Sequence, residues 1–190
     1  MPPDNDYWPH SDSAAGVPAQ EAVAYLGRGT FVPLPRSLSM LSPGDPAPDF
    51  DLQGTADGGV GAYRLSAATN RAPAVVAFVP GDGPESQAVL SALADADWAS
   101  VSEAVAVLGV LPADIDDCRS LAAALSLPYP LLADTHGVAT QFGVRKQDGS
   151  VQRAAFVVDQ RCRVRGATVF DETDGTAPPL DEVLRGLAEL

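Results

Sequence analysis

The chain predicts an α/β fold with a single core, organised around a central mixed β-sheet with helices on its faces. Two short valine-rich apolar runs, residues 74–79 and 104–111, bracket a segment whose apolar side chains recur at helical spacing. Strand-like and helix-like stretches keep alternating toward the end of the chain, the pattern of layered α/β domains. A length of 190 residues with 46% hydrophobic content suffices for one sizeable domain and an extension, not for two comfortable cores.

Residues 1–40 mix Pro, Asp, Ser and Gly, with one or two helical turns expected near residues 20–26, and predict a loosely docked arm. Within it, Phe31-Val32-Pro33-Leu34-Pro35 reads as an extended tether. The remaining residues, 41–190, predict the folded domain. After Phe50, glycine turns lead into a short strand within residues 58–65, and Ser66 is placed to cap a brief helix. Residues 74–79 form a strand candidate. Residues 84–98 predict a helix, because Val89, Leu90, Leu93 and Trp98 fall on one face and Pro84 stands where a first-turn proline is tolerated. Residues 104–111 follow as a strand, and 115–126 as a helix with Leu121 and Leu125 four apart. A shorter helix is expected within residues 135–142. Residues 154–158 and 163–169 predict strands joined by the tight turn 159–162, and residues 180–190 predict a closing helix.

Four segments stand in a telling order. They are Pro43-Gly44-Asp45-Pro46-Ala47-Pro48-Asp49-Phe50-Asp51-Leu52, then the strand 74–79 ending in Pro80, then Leu127-Pro128-Tyr129-Pro130-Leu131-Leu132-Ala133-Asp134 leading into Phe142-Gly143-Val144, then Arg153-Ala154-Ala155-Phe156-Val157-Val158-Asp159. Across residues 41–170 this succession resembles the peroxiredoxin family of alkyl hydroperoxide reductases and thiol-specific antioxidants. The resemblance implies a thioredoxin-like three-layer sandwich and a homodimer formed through its edges. It also implies that the loop after the strand carries the reactive site, with Arg153 in the place of the arginine that supports the family's thiolate and orients peroxide.

That loop, Phe78-Val79-Pro80-Gly81-Asp82-Gly83-Pro84-Glu85-Ser86-Gln87, holds no cysteine. Ungapped counting from Pro80 puts Gln87 at the family's cysteine position. A one-residue deletion puts Ser86 there and aligns Pro84 with the proline that commonly follows the family's threonine. Peroxide reduction needs a polarisable thiolate, which serine does not provide at neutral pH. Peroxidase activity of the family type is therefore not expected. Arg153 is left to bind a carboxylate or phosphate, or to pair internally with Asp82 or Glu85. Glu85 and Asp82 are candidate acid or base groups, although an acid at a helix start first of all complements the macrodipole. Ser86 is a small polar replacement whose hydroxyl is expected to bond local backbone. A serine nucleophile would need a neighbouring imidazole, and neither His10, in the arm, nor His136, in a surface turn, is placed to provide one.

Two cysteines remain, Cys118 and Cys162, without metal-like spacing. Cys118 is expected at the surface near a helix start, beside Asp114, Asp116 and Asp117, which oppose a thiolate. Cys162 lies between Arg161 and Arg163, which favour one. A formal charge of −13, with Lys146 as the single lysine, argues against nucleic acid or an acidic membrane surface as partner. No basic start leads into an apolar stretch, and no apolar run approaches the ~20 residues of a membrane span. A cytoplasmic location and no metal or cofactor are expected. The leading expectation is a cleft formed by residues 80–87 and Arg153 that binds a small molecule or a protein partner. The alternatives are a non-redox enzyme using Asp82, Glu85, Ser86 and Arg153 for cyclisation, elimination or hydrolysis, and a thiol activity through Cys162 or Cys118.

Overall fold

The computed structural model describes residues 39–56, 58–170 and 180–190, so the expected arm and its tether lie outside the described residues. The elements run β1 (Asp51–Ala56), β2 (Gly59–Arg64), α1 (Leu65–Thr69), β3 (Ala74–Phe78), α2 (Pro84–Asp95), β4 (Ala106–Leu111), α3 (Ile115–Leu125), β5 (Leu131–Ala133), α4 (Val138–Gln141), β6 (Ala154–Val158), β7 (Val164–Val169) and α5 (Asp181–Ala188). Seven described strands form one mixed sheet in the order β2-β1-β5-β4-β3-β6-β7. Strand β3 pairs in parallel with β4 and antiparallel with β6, and β4 pairs in parallel with β5.

Alternation along the central strands sends side chains to two cores. Ala74, Val76 and Phe78 of β3 join Leu65, Val138, Ala139 and Phe142 on the face covered by α1 and α4. Val75 and Ala77 join Val89, Leu90, Leu93, Leu121, Val183 and Leu187 on the face covered by α2, α3 and α5. This is the expected three-layer sandwich. Phe142 is the hub of the first core, with ring centroids at 5.0 Å from Phe78, 5.2 Å from Phe156 and 6.2 Å from Phe50.

The helix expected over residues 84–98 stops at Asp95, and Trp98–Ser100 forms a separate short 3₁₀ turn. Trp98 still serves α2, because its Nε1 donates to the Leu93 carbonyl at 3.1 Å, one of the last-turn oxygens a helix leaves without a backbone partner. Ser66 does not cap α1 from outside; it lies inside that helix, and its N–H and hydroxyl both donate to the Asp49 carboxylate at 2.9 Å. The short helix expected within 135–142 is confined to α4. Its first N–H groups, Val138 and Ala139, donate to the buried Asp134 carboxylate at 2.8 Å each.

Hairpin β1–β2 is joined to the rest of the sheet by only two residue pairs, Gly54 with Leu132 and Thr55 with Leu131. At the other edge, the turn between β6 and β7 is organised by Asp159. Its carboxylate accepts the N–H groups of Arg161 and Arg163 at 2.8 and 2.9 Å and the Arg165 guanidinium at 2.7 Å. Burial alone would raise the Asp159 pKa, but the Arg163 N–H, the Arg165 side chain and the Arg161 N–H outweigh it and hold the carboxyl below its ordinary value.

Two outcomes follow. Truncation of the aromatic hub in Phe142→Ala should cost about 3–5 kcal/mol in urea unfolding, the range for a buried phenylalanine. Because the folded pKa of Asp159 is depressed, its contribution is complete above the unfolded value of about 3.9 and is lost as pH falls through the lower folded value. Asp159→Asn should therefore be about 1–2 kcal/mol less stable at neutral pH, with the gap to wild type closing in acid. A gap independent of pH would contradict the assignment.

Candidate functional site

The site forms where β3 ends. Phe78 is the last strand residue, residues 79–83 make the loop, and Gly83 with an extended backbone precedes Pro84 at the first position of α2. Proline suits that position because its ring fixes the helical φ and its missing N–H would have had no intrahelical partner. Arg153 arrives from the neighbouring strand, since Ala154 of β6 stands opposite Phe78. Glu85, in the first turn of α2, pairs with Arg153 through Nη1 and Oε2. The partners differ in environment: the Arg153 side chain is 10% exposed and that of Glu85 is 64% exposed. A nearly buried guanidinium is thus neutralised by a carboxylate reaching in from the solvent side.

Ser86 follows Glu85 on α2 and is 2% exposed. The expectation that local backbone would satisfy its hydroxyl is not met, as the Ser86 hydroxyl makes no hydrogen bond among the described residues. The backbone carbonyl four residues earlier, Asp82, instead accepts Gln87 Nε2 at 2.7 Å. Asp82 is not brought to Arg153. With Gly81 and Gln87 it lines a separate cleft of about 410 Å³, against Leu111 at the end of β4 and Asp117 and Ser120 on α3. Of the four residues singled out in the sequence, the fold unites Arg153 with Glu85, sets Ser86 beside Glu85 in sequence and turns Asp82 toward α3.

Neither cysteine belongs to this loop. Cys118 is not at the surface as expected; it is fully buried in the core under α3. Burial, with Asp114 and Asp117 adding to it, pushes its thiol up to about 11. Cys162 occupies the β6–β7 turn in a left-handed conformation, φ 55°, and is half-buried. Its Sγ lies 3.1 Å from the hydroxyl of Thr69, a buried residue of α1 that sequence reasoning did not single out and no local pattern marks. His136 is exposed, with Nδ1 3.1 Å from Thr135 Oγ1, and His10 lies outside the described residues.

A mixed sheet in this order, with the arginine just before β6 set against the first turn of the helix that follows β3, defines a thioredoxin-like fold of the peroxiredoxin kind. Solved structures agree. Peroxidoxin BcpB from Mycobacterium tuberculosis superposes with a TM-score of 0.66 at 26% identity, over 78% of this chain and 97% of that one. AhpC from Enterococcus faecalis does so with a TM-score of 0.68 at 22% identity, over 77% and 90%. A yeast mitochondrial 1-Cys peroxiredoxin matches with a TM-score of 0.64 at 22% identity, over 77% and 74%. No curated protein matches the chain in sequence. The AhpC/TSA family model matches residues 43–167, and the chain belongs to that family. No helix among the described residues is long and apolar enough to cross a membrane.

The two thiols should separate cleanly by reactivity. Iodoacetamide at neutral pH should label Cys162 in the native protein and leave Cys118 untouched until denaturant is added, read by peptide mass spectrometry. Equal labelling of both in the folded state would contradict the burial of Cys118.

Proposed function

We propose that this chain is a non-peroxidatic member of its family whose former active site, at the Arg153–Glu85 pair, binds a small anionic ligand. The observation that carries the reading is the pairing of Glu85 with Arg153 where the family's chemistry would have a thiolate. The guanidinium is nearly buried, so it requires a negative partner, because an unpaired charge removed from water costs several kcal/mol. Glu85 is exposed and tethered only through its side chain, so a carboxylate or phosphate of suitable shape displaces it without unfolding the helix.

Two other readings have less support. A non-redox enzyme would need an acid or base poised against the substrate, and Asp82 lines a different cleft while Glu85 is held by Arg153. Thiol chemistry would fall to Cys162, since the buried Cys118 thiol is held protonated at neutral pH.

The wild type should not consume hydrogen peroxide with dithiothreitol as donor. Replacing the competing carboxylate in Glu85→Gln should tighten binding of phosphate or small carboxylates about tenfold, while Arg153→Ala should abolish it, both read by calorimetry. Peroxide turnover by the wild type, or anion binding insensitive to both substitutions, would refute the proposal.

A further inference from the structure

A second pocket, of about 680 Å³, lies at the opposite end of the sheet from Arg153. Its lining includes Ala72, just before β3, and Ala106 at the start of β4, whereas the Arg153–Glu85 pair lies beyond Phe78 at the far end of the same strands. Residues of α1 on one side and Ala94 and Trp98 on the other place it between the two helical layers. Its volume falls within the range of pockets that enclose small organic ligands.

Three aromatic residues line it, and the polar ends of two are already used. Tyr129 Oη donates to the Leu90 carbonyl at 2.7 Å and Trp98 Nε1 donates to Leu93, so what these rings have left to offer is apolar surface. A bare strand position makes room for Tyr63: a Cβ at Gly54 would come within 2.9 Å of Tyr63 Cδ2 and closer still to Leu132 Cδ2.

The charge lining the pocket is of one sign. Arg64 and Arg71 contribute to it and no carboxylate does, in a chain whose formal charge is −13. Arg64 is engaged by Asp51 at 3.0 Å. The Arg71 guanidinium is exposed and has no ion-pair or hydrogen-bond partner among the described residues. An aromatic and aliphatic wall with one uncommitted guanidinium at its rim matches a ligand that is apolar at one end and anionic at the other.

We propose that this pocket binds a small aromatic carboxylate, its ring against Tyr129 and Trp98 and its carboxylate on Arg71. The site is independent of the Arg153 cleft, and the two are distinguished by which arginine the binding requires.

Calorimetric titration of the full chain with naphthoate, and with naphthylmethanol as the neutral counterpart, tests this. Naphthoate should bind saturably and more tightly than the alcohol. Arg71→Ala should weaken naphthoate about ten- to a hundredfold, the loss of a charge-assisted contact, and bring it level with the alcohol. Ala67→Trp, at an exposed lining position of α1, should obstruct both ligands. Positions 67 and 71 are exposed, so unfolding is not the expected cause of a loss, and a melting curve for each variant checks this. No saturable naphthoate binding by the folded wild type, equal affinity for the alcohol, or dependence on Arg153 in place of Arg71 would overturn the proposal.

Discussion

Strand β3 has no face or edge left for solvent. All five residues from Ala74 to Phe78 are fully buried, β4 and β6 take its two edges, and the two cores take its alternating side chains. A strand held on four sides cannot slip by one residue without sending Phe78 and Val76 into the wrong layer. Its end is therefore a fixed point. From that point the loop 79–83 launches α2, and the pairing of Phe78 with Ala154 delivers Arg153 to the first turn of the helix. The ion pair of Arg153 with Glu85 is a consequence of register before it is anything chemical.

Four of the nine described arginines of this acidic chain pair with nearby acids. Arg64 faces Asp51 across the hairpin, Arg119 meets Asp116 one turn away on α3, and Arg165 completes the Asp159 turn. The exposed pairs among them contribute little to stability. Arg153 differs by being nearly buried, so its charge depends on the Glu85 carboxylate for neutralisation. Arg71, like Arg161 and Arg185, has no such partner among the described residues.

Much of the fold was legible because its signals are local. Apolar runs of five or six residues, a proline at the start of α2 and a tight turn before β7 fix the order of elements without long-range information. The errors arose where a distant residue decided the outcome. Asp49, seventeen residues away, takes both polar groups of Ser66, so that serine is held within α1 and is not its cap. The Ser86 hydroxyl found no local acceptor, which a reading of neighbouring residues could not reveal. Cys118 was misplaced despite a usable clue: Cys118, Leu121 and Leu125 fall three and four apart, the spacing of one helix face, and that face is the buried one. At the candidate site, sequence narrowed the partner of Arg153 to Asp82 or Glu85. Helix geometry chose between them.

The narrow seam between β1 and β5 gives the molecule an uneven mechanical grain. Hairpin β1–β2 hangs from the sheet by Gly54 and Thr55, and one of these is a glycine over which Tyr63 and Leu132 close. Regions held by few ladder pairs open at lower free energy than the core they border. Tyr63 and Arg64, at the end of that hairpin, form part of the wall of the larger pocket. The wall of the larger pocket is thus carried in part by a lightly laddered edge, whereas the loop after β3 springs from the buried centre of the sheet.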